Sequence, residues 1–158
     1  MTHSTEDLHV YVRHINADER TSLSVLAQWV PQGATVLDLG CGTGLLGVCL
    51  GRLDGALVGV DISKGMIEQA ARHNVYDRFH HTNLLDALED TPASLYQVLA
   101  ALDVFIYAGD MSKASPNALR MLTPGGQFIF SCEAAPEDGA ALVLQPSGRY
   151  AHQRSAIE

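Results

Sequence analysis

Short runs of apolar and β-branched residues alternate along this chain with stretches of helical periodicity. The runs predict five strands, at residues 35–39, 57–61, 79–82, 97–101 and 127–132. Ahead of the first run, a helix that starts near Asp18 is predicted by the i, i+3, i+4, i+7 spacing of Leu23, Leu26, Ala27 and Val30. Buried strands that alternate with helices are typical of βαβ units. The pattern therefore predicts an α/β fold with a mostly parallel sheet and helices on both faces.

Turn residues and the loss of pattern set the limits of the domain. Pro31 and Gly33 end the first helix, so residues 1–33 are predicted to form an N-terminal helical segment. Residues 34–158 are predicted to form the core. After residue 132 the pattern weakens to one short strand candidate, at residues 142–144. We therefore expect a sheet that is truncated after strand five.

Two serines are candidate helix caps. Ser63 follows the second strand, and its hydroxyl can accept an orphan backbone N–H of the next helix. Ser115 precedes Pro116, a residue type that suits the first position of a helix. We expect one helix to begin after each of these serines.

Composition and charge exclude several classes of protein. The 158 residues suit one domain of about 150 residues, and the mean hydropathy of +0.06 is typical of a globular chain. Ten lysines and arginines against 18 acidic residues give a net charge of −8, which leaves too few cations to displace the counterions of a nucleic acid. The most apolar stretch, residues 34–50, contains Asp38 and several glycines, which disfavours a membrane span. Neither a nucleic-acid partner nor a membrane partner is expected.

The cysteines and histidines give no sign of a metal centre. The three cysteines are odd in number and lack a CxxC spacing, which disfavours a disulfide framework and a structural zinc site. His80 and His81 are adjacent in a predicted strand and would face opposite sides. The N-terminus is polar and acidic, unlike a signal peptide. These observations predict a cytoplasmic protein without a bound metal.

The strongest functional signal is a glycine-rich turn where the first strand meets the next helix. Gly40, Gly42 and Gly44 lie in this turn, and glycines permit positive φ and let a ligand touch the backbone. The free N–H groups of the helix N-terminus lie beside them. Asp61 ends the next strand, and its carboxylate can accept hydrogen bonds from both hydroxyls of a ribose. A nucleotide-type cofactor is therefore expected at the carboxyl edge of the sheet.

Two cofactor classes fit this turn. Residues 42–47 also match the GxGxxG pattern of nicotinamide dinucleotide sites, with Asp61 following about 20 residues later. Asp38 separates the two classes, because a carboxylate beside a pyrophosphate adds like-charge repulsion, whereas beside an ammonium or sulfonium group it attracts. A nicotinamide-dependent oxidoreductase stays as an alternative, although no hydride-transfer site can be placed.

Four ordered segments resemble the motifs of class I S-adenosylmethionine-dependent methyltransferases. They are VLDLGCGTG at 36–44, VGVDIS at 58–63, the fourth-strand region at 96–107 and LTPGG at 122–126. Residues 103–110 and 146–152 are, more narrowly, similar to predicted methyltransferase domains fused to tetratricopeptide repeats. The resemblance implies a Rossmann-like fold, S-adenosyl-L-methionine as the cofactor and a small-molecule methyl acceptor.

The same resemblance implies a set of cofactor-binding residues. They are Asp38, Gly40, Cys41, Gly42, Gly44, Asp61, Ile62, Met66, Asn83, Leu84 and Leu102. The three glycines and Leu102 would border the methionine half of the cofactor, Asp38 would lie near its amino group, and Asp61 would hold the ribose. The other side chains would lie near the adenine, with ordinary core packing as the alternative for Ile62, Met66 and Leu84.

The acceptor side offers weaker candidates. A general base is needed only if the acceptor must lose a proton, and the sequence does not select between O, N and C methylation. Tyr107 and Asp103, with Asp110, follow the fourth strand and are the candidate catalytic residues. Further candidates for ligand contact, each with an exposed surface position as the alternative, are Arg13, His14, Arg149, Tyr150 and His152.

Two departures from the family pattern leave room for another interpretation. Gln97 stands where an aspartate is common, and the residues for the C-terminal hairpin of strands six and seven are missing. A cofactor-binding domain without activity, or a fragment of a larger protein, is therefore an alternative. The fifth strand is apolar on both faces, with Phe128 and Phe130 on one and Ile129 on the other. We expect this edge to form a homodimer or to be covered in a longer native chain.

Overall fold

A five-stranded parallel sheet forms the centre of the computed structural model, which describes residues 22–157. Its strands are β1 (Thr35–Leu39), β2 (Ala56–Asp61), β3 (Arg78–His81), β4 (Tyr96–Ala101) and β5 (Leu122–Phe130). They lie in the order β3-β2-β1-β4-β5. All strands are parallel, but the order in which the chain adds them to the sheet reverses between β1 and β4. At such a switch point the carboxyl ends of the strands leave a crevice for a ligand.

Helices connect and flank these strands. They are α1 (Ser22–Trp29), α2 (Leu45–Leu50), α3 (Lys64–Ala71), α4 (Leu84–Asp90), α5 (Phe105–Ala108) and α6 (Ala114–Met121). The α/β class and the parallel sheet predicted from the sequence are confirmed. The predictions for Arg13 and His14 lie outside the described residues.

Both faces of the sheet are buried because alternate residues of each strand point to opposite sides. Leu37 of β1 packs with α4, α5 and α6 on one face, where Leu88 and Met121 are fully buried. Val36 packs on the other face, which Leu26 of α1 and Leu46 of α2 also cover. Truncation of a core leucine such as Leu37 to alanine would cost about 2–5 kcal/mol.

The two predicted caps have different outcomes. The Ser63 hydroxyl accepts the N–H of Met66 at 3.3 Å, as predicted. The prediction for Ser115 is wrong, because its own N–H donates to the Met111 carbonyl and α6 begins at Ala114.

Gln97 has a structural role at the opposite end of the sheet from the glycine-rich turn. Its side-chain oxygen accepts the N–H of Thr35, the first residue of β1. The amide therefore ties β4 to β1 at their N-terminal ends. This position is remote from the carboxyl edge, where the candidate site lies.

The residues after β5 form a second, three-stranded sheet. It consists of β6 (Glu133–Ala134), β7 (Leu142–Leu144) and β8 (Tyr150–His152), in the order β6-β8-β7. Of these strands, only residues 142–144 were predicted. A short helix, α7 (Arg154–Ile157), follows. This second sheet packs against α5 and adds no strand to the large sheet. Within residues 22–157, β5 therefore pairs with β4 alone and forms the edge of the large sheet.

Candidate cofactor and acceptor site

The glycine-rich turn lies at the carboxyl end of β1 and depends on left-handed backbone. Gly40, Gly42 and Gly44 have φ values of 64°, 55° and 88°, which L side chains rarely adopt. A Cβ at Gly40 would lie 2.6 Å from a methyl group of Val104, whereas a Cβ at Gly42 would meet nothing within 4 Å. Gly40 therefore allows close packing below the turn, and the space in front of Gly42 is open to a ligand.

Asp61 connects the turn to the neighbouring strand. Its Oδ2 accepts the N–H of Gly42 at 2.9 Å, and its Oδ1 accepts the N–H of Ser63 at 2.8 Å. Each carboxylate oxygen has two acceptor sites, so both oxygens keep capacity for a further donor. The carboxylate is thus held in place by two backbone donors and can accept further hydrogen bonds.

Asp38 is buried below the turn, with 3% of its surface exposed. Its Oδ2 accepts a hydrogen bond from the Tyr76 hydroxyl at 2.6 Å. Burial raises the pKa of Asp38 to about 7, the negative charge of Asp61 also raises it, and the Tyr76 hydrogen bond opposes both effects. Two carboxylates close to the turn make this site attractive to a cationic ligand group.

Tyr76 was missed by the sequence reasoning. It lies between α3 and β3, outside every recognised motif, and its contact with Asp38 spans 38 positions of the chain. No local pattern signals such a partner.

The Cys41 thiol is buried in the same turn. Burial raises its pKa far above the usual range for a thiol, and the charges of Asp38 and Asp61 raise it further. The thiolate is the reactive form of cysteine. Cys41 is therefore a packing residue of the turn and not a nucleophile.

The predicted adenine side lies at the ends of β2 and β3. Ile62 is 71% exposed directly after Asp61, so it is not part of the core. Asn83 caps α4, because its Oδ1 accepts the N–H of Asp86 at 2.9 Å. Leu84 packs against the core beside it, and Met66 is partly buried in the first turn of α3.

The residues after β4 form the neighbouring rim. Leu102 packs against the core on the α1 side. Asp103 has a φ of 55°, and its N–H donates to the Ser131 hydroxyl at 2.8 Å. The Asp103 carboxylate also accepts a longer hydrogen bond from that hydroxyl. This aspartate therefore joins the segments that follow β4 and β5.

Tyr107 lies on α5 with 54% of its surface exposed. The Arg149 guanidinium carbon lies 6.0 Å from the centre of its ring, at cation–π distance. Arg149 is also paired with Glu133 at 3.2 Å. Arg149, next to β8 of the second sheet, thus lies beside the aromatic ring of Tyr107 on α5, the helix that follows β4.

Asp110 and His152 are engaged within the protein. Asp110 accepts hydrogen bonds from the N–H and hydroxyl of Ser112, which lower the pKa of this carboxyl. His152 is buried, and its Nε2 lies 2.7 Å from the Gly109 carbonyl oxygen. Because a carbonyl only accepts, Nε2 carries the proton. The other nitrogen, Nδ1, is buried without a partner among residues 22–157.

Residues 36–126 match the family described as methyltransferase domain. The match covers more than half of the chain, so the chain belongs to this family. Family membership confirms the broader resemblance found in the sequence. It also removes the basis for the nicotinamide alternative, whose GxGxxG pattern overlaps the family's own glycine-rich turn.

Individual relatives agree with this assignment. A ubiquinone biosynthesis O-methyltransferase from Proteus mirabilis is 28% identical over 102 residues, which cover 63% of this chain and 42% of the relative. A similar enzyme from Pseudomonas entomophila is 28% identical over 72% of this chain and 47% of the relative. The chain thus spans less than half the length of these relatives.

Solved structures share the fold. An S-adenosylmethionine-dependent methyltransferase from Mesorhizobium loti superposes with a TM-score of 0.62 at 23% identity, over 85% of this chain and 64% of that one. These values confirm the Rossmann-like fold. Among the described residues, no helix is both long and apolar enough to cross a membrane.

Proposed function

We propose that this domain binds S-adenosyl-L-methionine at the glycine-rich turn and transfers its methyl group to a small molecule. The observation that supports the proposal most is the pair of carboxylates beside the turn, the buried Asp38 and the fixed Asp61. This ligand carries an ammonium and a sulfonium group, so its charge complements the pair. The open space in front of Gly42 gives it room to lie against the backbone.

In this proposal each group of predicted residues binds a different part of the cofactor. Asp38 faces the ammonium group, and Asp61 accepts the two ribose hydroxyls. The methionine half lies against Gly40, Cys41, Gly42, Gly44 and Leu102. The adenine lies between the ends of β2 and β3, near Ile62, Met66, Asn83 and Leu84. The exposure of Ile62 supports its assignment, because an apolar side chain at that edge gains from being covered.

When bound, the cofactor supplies an already activated methyl group. The work of the chain is then to hold the two reactants in line and to exclude water. Tyr107 is the strongest candidate for acceptor contact. Its ring is exposed on α5, the helix that follows β4, and stacks with the Arg149 guanidinium. Asp103 is a weaker candidate because its carboxylate is already engaged by Ser131.

The acceptor is proposed to be a small molecule, and the negative charge of the chain disfavours nucleic acid. The curated relatives are named as O-methyltransferases, so an oxygen acceptor is the first class to test. A cytoplasmic location remains part of the proposal. So does the narrower resemblance to domains fused to tetratricopeptide repeats.

A second candidate function is a cofactor-binding module of a larger assembly. The observation that favours it is the β5 edge, which pairs with β4 alone within residues 22–157. Trp29 is exposed beside this edge, in a shallow groove that it shares with Gln127 and Ile129. Either a second copy of the chain or a segment of a longer protein would cover the groove.

Methyl transfer from S-adenosylmethionine with a labelled methyl group tests the proposal. The chain is incubated with panels of phenols, amines and carboxylic acids, and the products are separated by mass. Label in one acceptor class, lost in an Asp61→Ala variant, supports the enzyme. Cofactor binding without transfer to any panel supports the module instead.

A further inference from the structure

The buried Asp38 carboxylate depends on one hydroxyl group. A buried carboxylate without hydrogen bonds strongly disfavours its charged form. The Tyr76 hydroxyl donates to Asp38 Oδ2 at 2.6 Å, which is the short distance typical of a hydroxyl bound to an ionised oxygen. This bond favours the ionised carboxylate.

A second contact of the Tyr76 hydroxyl favours donation to Asp38. The N–H of Gly47, in α2, donates to the Tyr76 hydroxyl oxygen at 3.3 Å. A tyrosine hydroxyl has one proton and can also accept hydrogen bonds. With the Gly47 N–H on the acceptor side, the hydroxyl proton is available for donation to Asp38.

Packing holds the tyrosine ring in place. A Cβ on Gly47 would lie 2.4 Å from the ring, so glycine is required there for α2 to approach it. On another side the ring contacts Phe79 of β3, with 4.8 Å between the ring centres. The hydroxyl therefore has little freedom to leave Asp38.

The other groups around Asp38 do not replace Tyr76. Asp61, at the end of β2, is negative and disfavours ionisation of Asp38. Cys41, in the turn after β1, is a protonated thiol. On the two adjoining strands, the residues in register with Asp38 are the uncharged Gly59 and Ala100. His73, after α3, lies beside the turn with its Nε2 3.0 Å from the Thr43 carbonyl oxygen.

We propose that Tyr76 is a positioning residue of the cofactor site, which favours the ionised form of Asp38 and orients its carboxylate towards the ammonium group of the ligand. The inference rests on the proposed function. Tyr76, a residue outside the glycine-rich motif, would then control how the affinity for the cofactor depends on pH. Loss of the hydroxyl shifts ionisation of Asp38 to higher pH, so a ligand that needs the carboxylate binds more weakly until the pH is raised.

Calorimetry with S-adenosylhomocysteine between pH 6 and pH 9 tests this inference on wild type and Tyr76→Phe. The dissociation constant of Tyr76→Phe is divided by that of wild type at each pH, which cancels the titration of the ligand itself. We expect a ratio on the order of ten at pH 6 that falls towards one at pH 9. Tyr96→Phe is the matched control, since Tyr96 is a buried tyrosine of β4 in a different part of the core, and its ratio should stay near one.

A ratio for Tyr76→Phe that is constant across this range overturns the inference, because a purely structural role gives the same loss at every pH. The carboxyl carbon of Asp38, followed by NMR in the ligand-free protein, gives a second readout. Its midpoint should move to higher pH in Tyr76→Phe, and an unchanged midpoint contradicts the proposal. If wild type binds no S-adenosylhomocysteine, the proposed function fails, while the NMR midpoint still decides whether Tyr76 controls Asp38.

Incorporation of 3-fluorotyrosine at position 76 gives a test that keeps every hydrogen-bonding group. Fluorine makes the phenol a stronger donor, so the Asp38 midpoint should move to lower pH, opposite to the effect of Tyr76→Phe. This variant also covers the case in which Tyr76→Phe does not fold. An Asp38 midpoint that does not move in the fluorinated protein contradicts the proposal.

Discussion

The Asp61 carboxylate accepts the backbone N–H of Gly42 at 2.9 Å, so the residue proposed to bind the ribose also holds the glycine-rich turn. A second hydrogen bond, from the N–H of Ser63, fixes its other oxygen. One side chain therefore joins the carboxyl ends of β1 and β2 and the start of α3. Under the proposed function, ligand binding would therefore be coupled to the shape of the turn through this residue.

Replacement of Asp61 should weaken cofactor binding strongly. Hydrogen bonds to a charged group contribute roughly 1.5–3 kcal/mol each, so Asp61→Ala should raise the dissociation constant for S-adenosylhomocysteine at least about tenfold. Calorimetry measures this change. Asp54→Ala is the matched control, because Asp54 is an exposed carboxylate before the opposite end of β2. A folded Asp61→Ala protein with unchanged affinity would rule out the ribose role.

Asp38 should cost stability at neutral and alkaline pH. Its pKa is raised to about 7 in the fold, chiefly by burial, whereas an unfolded aspartate titrates near 3.9. The folded chain therefore holds this proton more tightly, and the stability it contributes below pH 4 is lost as the pH rises through 7.

Asp38→Asn should consequently unfold at a higher temperature than wild type at pH 8, and the difference should shrink towards pH 5. The same variant should bind S-adenosylhomocysteine more weakly at pH 8. Thermal unfolding at several pH values measures the first effect. A stability difference that is the same at pH 5 and pH 8 would show that Asp38 does not titrate in this range.

The β5 edge should mediate self-association of the chain. Unpaired N–H and C=O groups of an edge strand invite pairing with another chain, and Trp29, 57% exposed, adds apolar surface beside them. Light scattering over a range of concentrations should show dimers that Trp29→Glu weakens. Leu119→Glu, on the exposed surface of α6, is the control and should leave the dimer intact. A chain that stays monomeric at all concentrations contradicts this prediction.

Two of the three cysteines, Cys41 and Cys132, should differ in reactivity. Cys132 is exposed, whereas Cys41 is buried and its pKa is raised by burial and by two nearby carboxylates. Iodoacetamide at pH 8 should therefore label Cys132 in the folded protein and leave Cys41 unmodified. Peptide mass spectrometry follows the label at each position. Labelling of Cys41 at the rate of Cys132 would mean that the turn opens in solution.

Local pattern was sufficient to predict the large sheet. The strands β1, β2 and β4 consist mostly of buried apolar residues, a pattern typical of the centre of a parallel sheet. The Ser63 cap was predictable for the same reason, because its partner Met66 lies three residues away. Ser115 was wrongly predicted to cap a helix. Its N–H donates to the Met111 carbonyl, and this backbone hydrogen bond does not depend on side-chain type.

Features that depend on distant contacts were not predictable. The second sheet contains strands of two and three residues, too short for periodicity to indicate. His152 was a candidate for ligand contact with an exposed surface position as the alternative, but β8 pairs with its neighbours and buries the side chain against Gly109. Tyr76 likewise reaches Asp38 only because α3 and its following loop return to the end of β1.

Parallel calorimetric titrations with S-adenosylmethionine, S-adenosylhomocysteine and NAD show which cofactor class the glycine-rich turn binds. The carboxylates of Asp38 and Asp61 favour a ligand with an ammonium group over one with a pyrophosphate. We expect saturable binding of the first two ligands and no binding of NAD. Micromolar binding of NAD without binding of S-adenosylhomocysteine would contradict it.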